Sequence, residues 1–183
     1  RAIEAGDKQS GITIMKIAEG LDTGSMLAKG VIDINNDMTG GELHDKMSVL
    51  GGDLIIEVLA DITKYKPQIQ DEEKACYAAK IDKSECKINL MQPIDILYNK
   101  IRAFSPYHCL YFEYNDERFK IIRAEKANFE IKAGQLLTYD KSLILGCLDG
   151  ALKITHIQRQ GKRPMATEEL LRGFRFDGNI FLL

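Results

Sequence analysis

The chain has 183 residues, a formal net charge of −2 and 45% hydrophobic residues, enough to bury the core of one or two domains and unlike a disordered segment. No apolar run is long enough to span a bilayer and the start has no signal-like character, which points to a cytoplasmic protein without a membrane partner. Acidic residues outnumber basic ones over 1–86 and basic outnumber acidic over 87–183, as when a polyanion-facing module is joined to one that is not.

Residue 1 is arginine rather than methionine, so the chain reads as an interior piece of a longer protein. Cys76, Cys86, Cys109 and Cys147 are irregularly spaced, with no Cys-x-x-Cys pair and no histidine at ligand spacing. Free, reduced thiols and no bound metal are expected.

In chain order, Arg1 to Ala5 is the tail of a helix closed by Gly6. Ile12–Ile17 and Val31–Ile34 are strands, rich in β-branched residues. Between them lies Gly20-Leu21-Asp22-Thr23-Gly24. Glycines on both sides of a lone carboxylate let the backbone adopt positive φ and approach a ligand closely. An acid held in that way orients a histidine or moves a proton. Turns of the same composition are also common surface punctuation, and spacing alone leaves both readings open.

Asn35-Asn36-Asp37 is a turn, and Thr39-Gly40-Gly41-Glu42 fits a capping box that opens a helix. Leu43, Met47, Leu50, Leu54, Val58 and Ile62 give that helix one apolar face. From Tyr65 to about Glu85 the periodicity breaks and a linker is expected. Pro93 is placed as the first residue of a short helix carrying Ile94, Leu97, Tyr98 and Ile101, stopped by Ser105-Pro106. Cys109–Tyr114, Arg118–Ala124, Gly134–Tyr139, Ser142–Cys147 and Ala151–Gln158 then follow as short strands of a small closed barrel. Gln160–Pro164 is a basic loop, and Thr167 is placed to cap a last helix through Arg172.

Several strings share one resemblance. Arg1–Asp7, Ser10–Met15, Glu19–Leu27, Leu43–Lys46, Tyr77–Ile81, Ile101–Pro106, Gly150–Leu152 and Gly161–Met165 resemble, in order, the formyltransferases that use 10-formyltetrahydrofolate, and among them the methionyl-tRNA formyltransferases. The resemblance implies an α/β plus all-β chain. Residues 1–64 would be the C-terminal part of a Rossmann-like formyltransferase domain with a parallel sheet, 65–86 a linker, and 87–183 an OB-like β-barrel that binds tRNA, the whole being a monomer. It implies formyl transfer from the folate to the α-amine of methionyl-initiator-tRNA, for translation initiation. Asp22 would be the catalytic aspartate, Gly20, Leu21 and Asp22 would face the folate, and Lys80 would lie near the tRNA.

The family's Asn-x-His pair and Ser-Leu-Leu-Pro loop would lie upstream of Arg1. His44, His108 and His156 match neither, so these residues alone are expected to be catalytically incomplete. For tRNA phosphates, Lys162 and Arg163 are the leading candidates, with Arg102 and Arg123 behind them, each able instead to pair with a nearby acid. Tyr107 and Tyr111 are candidates for base stacking or for ordinary packing. Competing readings are a relative that formylates an amino-sugar nucleotide, and a non-catalytic RNA-binding barrel.

Overall fold

The computed structural model describes residues 1–177 and 180–182. Helix α1 (Ala2–Ala5) ends at Gly6, and β1 (Gln9–Met15) and β2 (Met26–Asp33) follow as a hairpin. The two strands are antiparallel, with Gln9 opposite Asp33 and Ile14 opposite Ala28. A parallel arrangement, expected from a Rossmann-like domain, is therefore not what this pair adopts.

Alternate residues of the hairpin face α2 (Gly40–Ala60), which lies across it with Leu50 over Gly30 and Gly51 against Ile12. The helix starts in a complete capping box. The Thr39 hydroxyl accepts from the Glu42 amide at 3.3 Å, and the Glu42 carboxylate accepts from the Thr39 amide at 2.8 Å. Its apolar face holds in part. Leu43 and Val58 are buried, Met47, Leu50 and Leu54 are half-buried, and Ile62 falls beyond the helix in a 3-10 turn and is exposed. Val49, Ile56 and Leu59 form a second apolar side that nothing covers among the described residues.

The second half is built on α3 (Ile94–Phe104), for which Pro93 is the cap and not the first helical residue. Strands β3 (Tyr111–Tyr114), β4 (Glu117–Ala127), β5 (Gln135–Tyr139), β6 (Ser142–Gly146), β7 (Ala151–Arg159), β8 (Met165–Ala166) and β9 (Ile180–Phe181) form one antiparallel sheet. Its order is β3-β4-β7-β6-β5-β9, with β8 on β7. Asn115-Asp116 and Asp140-Lys141 make two-residue hairpin turns in which both residues have positive φ, the twist that suits a right-handed pair of strands.

The barrel is half-closed. Among the described residues its edges β3 and β9 do not pair, and they flank a groove of about 280 Å³. Inside, Phe104, Phe112, Phe119, Leu136, Leu143, Leu145 and Leu152 are fully buried. Phe174 and Phe176 stack into the same cluster, with ring centroids 4.9 Å apart. Helix α4 (Thr167–Gly173) is capped by Ala166 without a side-chain bond. Thr167 is thus inside the helix, its hydroxyl buried without a hydrogen-bond partner among the described residues. No helix among them is long and apolar enough to cross a membrane.

The two halves are bolted together. Ile3, Ile34, Met38 and Leu43 form a small core, and Ala103 of α3 packs against it. A Cβ at Gly40 would run into the Ala103 carbonyl, so α2 begins almost in main-chain contact with the end of α3. The Gly41 amide donates to the Ser105 carbonyl at 3.0 Å. Arg102, only 7% exposed, reaches out of α3 and donates to the carbonyls of Asn35 at 3.0 Å and Met38 at 3.4 Å, while Asn99 Oδ1 accepts at 2.9 Å.

The linker is pinned as well. Two 3-10 turns, Glu72–Lys74 and Lys83–Cys86, interrupt it, and Gln68 pairs with Met26 through two backbone bonds of 2.8 Å. At its far end the Arg1 guanidinium donates to the carbonyls of Ala79 and Lys80 and forks onto Glu85 at 2.8 and 2.9 Å.

Two outcomes follow from these contacts. Arg102→Met removes the donors to two inter-domain carbonyls and should lower unfolding stability by about 1–3 kcal/mol in a denaturant titration, with Arg102→Lys intermediate. The Arg1 fork and the Asp82 amide hold Glu85 down to about 2 from an ordinary 4.5. A depressed carboxylate contributes stability above its unfolded value, and that contribution is lost as pH falls through the folded one. The stability gap between wild type and Glu85→Gln should therefore be full above about pH 4.5 and close toward pH 2.

Candidate functional site

The hairpin ladder ends where Met15 faces Met26, beyond a register shift at Ile14/Met15. One further bond, from the Lys16 amide to the Ser25 carbonyl at 3.0 Å, closes the neck of a loop that carries Asp22 at its tip. Within it the Thr23 hydroxyl donates to the Gly20 carbonyl at 3.0 Å.

The expectation that the flanking glycines supply positive φ is overturned. It is Asp22 itself that sits in the left-handed region, at φ 56°, a conformation that aspartate tolerates better than most side chains. Gly24 is needed for a different reason. A Cβ there would collide with the Lys16 carbonyl oxygen across the neck, so only a glycine allows the two main chains to come so close.

The result is an outward-facing carboxylate. Asp22 is exposed and has no hydrogen-bond or ion-pair partner for its side chain among the described residues. Leu21 beside it is 87% exposed and Ile17 fully so, giving an apolar surface next to a free acid. Sequence reasoning missed what holds this loop from outside. Gln70, in the linker, donates its side-chain amide to the carbonyls of Asp22 at 2.7 Å and Gly24 at 2.8 Å. Its only sequence signal is a polar residue following Pro67 in a segment without period.

The histidines are engaged elsewhere. His44 lies edge-on to Tyr107 with ring centroids 6.0 Å apart, His108 packs on Phe104, and His156 contacts Thr155. No group of three or more His, Cys, Asp or Glu side chains that could hold a metal is found among the described residues. All four cysteines are free thiols, and burial pushes Cys147 up to about 12.

The five basic residues singled out for tRNA are not gathered in one state. Arg102 is a correction to that set. It is buried at the junction, and its donors are engaged by carbonyls and Asn99 rather than presented to solvent. Arg123, beside a bulge in β4, is paired with Glu42 across the same junction. Lys162 and Arg163 are exposed on the loop between β7 and β8; neither side chain makes a hydrogen bond or salt bridge among the described residues, although the Lys162 charge acts on Glu117. Lys80 is exposed in the linker, only its carbonyl being held, by Arg1. Of the tyrosines, Tyr107 is 63% exposed, and Tyr111 is covered by the Arg118 guanidinium 3.9 Å above its ring.

Comparison with known proteins places this architecture. The family model described as formyl transferase matches residues 1–59, and that described as formyl transferase, C-terminal domain, matches residues 80–175. A methionyl-tRNA formyltransferase of Rhizorhabdus wittichii is 41% identical over 174 residues, covering 95% of this chain and 56% of that protein. The chain thus spans about half the length of the curated relatives it matches. Among solved structures, HypX from Aquifex aeolicus in complex with tetrahydrofolic acid is similar in fold, with a TM-score of 0.70 at 18% identity over 93% of this chain and 31% of that one. So is the N-formyltransferase of Helicobacter canadensis bound to folinic acid and dTDP-3-aminofucose, with a TM-score of 0.67 at 24% identity over 84% of this chain and 57% of that one. Gln70 and Arg1 tie the linker between the two matched segments back onto the first of them, and the chain belongs to the formyl transferase family.

Proposed function

We propose that this chain takes part in moving a formyl group from 10-formyltetrahydrofolate to the α-amine of methionyl-initiator-tRNA, with Asp22 as its catalytic carboxylate. One observation carries the reading: the free carboxylate of Asp22, thrust outward on a loop whose backbone is fixed from two sides. The 41% identity to a methionyl-tRNA formyltransferase supports the choice of acceptor.

The folate would supply the formyl group as an activated acyl donor. The residues present fit part of such a ligand. Leu21 and Ile17 offer apolar surface to a flat ring, and Asp22 offers an acceptor to its polar edge or to the attacking amine. Acyl transfer to an amine needs that amine uncharged, and a proton must leave it as the C–N bond forms. A carboxylate held in reach orients and takes up such a proton. The developing oxyanion also needs aimed donors. The asparagine and histidine that the resemblance implies would supply them, and residues 1–183 hold no Asn-x-His pair.

On the barrel side, the exposed Lys162 and Arg163 would neutralise phosphates, and Lys80 would add a third cation from the linker. Such interactions give salt-dependent affinity without reading bases. An enzyme acting on a sugar nucleotide has no use for that dependence.

The test is formyl transfer to methionyl-tRNA by the intact protein. Asp22→Asn should lower kcat by about 10²–10⁴-fold with the fold retained, the usual scale for a lost acid–base group. A near-wild-type rate would remove Asp22 from the chemistry. Paired substitution of Lys162 and Arg163 by glutamine should weaken tRNA binding and reduce the slope of log K against log salt by about 0.9 for each phosphate no longer neutralised.

A further inference from the structure

The loop that carries Asp22 is poorly held by its own residues. Leu21 and Thr23 are exposed along with Asp22, and of this group only Gly24 is buried. A non-glycine residue at positive φ is disfavoured relative to the ordinary regions, so something outside the turn must fix it.

That support comes from the linker, well beyond the end of α2. Gln68 sits on the end of β2 by exchanging both backbone bonds with Met26, which fixes the position of the segment. Two residues on, the Gln70 amide nitrogen reaches the carbonyls of Asp22 and Gly24, with the Met15 sulfur 3.8 Å away. A primary amide has two N–H donors, and here one is available for each carbonyl on either side of Thr23. We propose that Gln70 is the positioning residue for Asp22, holding the aspartate's left-handed backbone so that its carboxylate points at the reacting amine. The proposal rests on the catalytic role given to Asp22 above.

Glutamine is specifically suited to this role. Glutamate has the same shape but turns two donors into acceptors that would face two carbonyl oxygens, and alanine supplies nothing. Neither change disturbs a packed core, because Gln70 lies among loop residues at the rim of the hairpin.

The experiment uses the intact protein and three variants, Gln70→Glu, Gln70→Ala and Asp22→Asn. Exchange of the hydrogen-bonded Lys16 and Met26 amides, which close the neck, reads the loop, and kcat and KM for formyl transfer read the chemistry. Both Gln70 variants should speed exchange of these amides by about tenfold or more, the mark of a lost local restraint. They should lower kcat by about 10–100-fold while leaving KM for methionyl-tRNA and the thermal midpoint close to wild type, as expected when a catalytic group is misplaced and not removed. A merely structural glutamine would lower the midpoint and leave kcat alone. Unchanged exchange overturns the proposal, and so does faster exchange with unchanged kcat while Asp22→Asn is inactive. An active Asp22→Asn variant overturns the catalytic reading itself, and the positioning role falls with it.

Discussion

The arrangement of this chain depends on a cation buried between its halves. Arg102 leaves α3 and donates into the carbonyls of the turn before α2, at a point where Gly40 lets that helix touch the end of α3. A guanidinium has five donors in a rigid fork, and burying it is tolerable only where those donors find acceptors. Two of the acceptors, the Asn35 and Met38 carbonyls, belong to the other half of the molecule, and Asn99 of α3 itself supplies the third. The small cluster of Ile3, Ile34, Met38 and Leu43 also borrows a wall from Ala103, so the N-terminal segment completes its core on the barrel.

The same dependence extends to the linker. Arg1, Glu85, Gln68 and Gln70 tie it at both ends, with the exposed residues 71–78 between the ties. These ties are made by side chains of modest size in partly exposed positions, where single ion pairs add little stability. Their effect is geometric. They set where the hairpin tip and the barrel loop lie.

Much of the fold can be read from residues that act on their nearest neighbours. The Thr39 and Glu42 capping box, the helix over Leu97 and Ile101, and the hairpin at Asn115-Asp116 are local chemistry, and each is found where the residues put it. Elements decided at a distance were less legible. β8 and β9 are two residues long and exist only because β7 and β5 offer open edges. The antiparallel sense of β1 and β2 follows from the short loop joining them, which a family-level expectation of a parallel sheet obscured. Arg102 shows the limit for site residues. An arginine near a break in a basic half looks like a phosphate ligand, and nothing in its neighbours along the chain reveals that the Asn35 and Met38 carbonyls wait for it. Gln70 was invisible for the converse reason, as its partners lie 46 and 48 residues away. Asp22 was legible as a position, while the conformation it adopts depends on the loop closing around it.

The pinned linker has a consequence for the size of whatever the molecule handles. Because Arg102, Arg1 and Gln70 fix both ends, the separation between the Asp22 carboxylate and the cations of the β7–β8 loop is set by the fold and not by a tether's thermal wandering. With both as contact points, as proposed above, a chain so built would favour an acceptor of matching length. An acceptor that fills both places at once gains from each without an entropic penalty for bringing them together. One too short to span them is left with a single handhold.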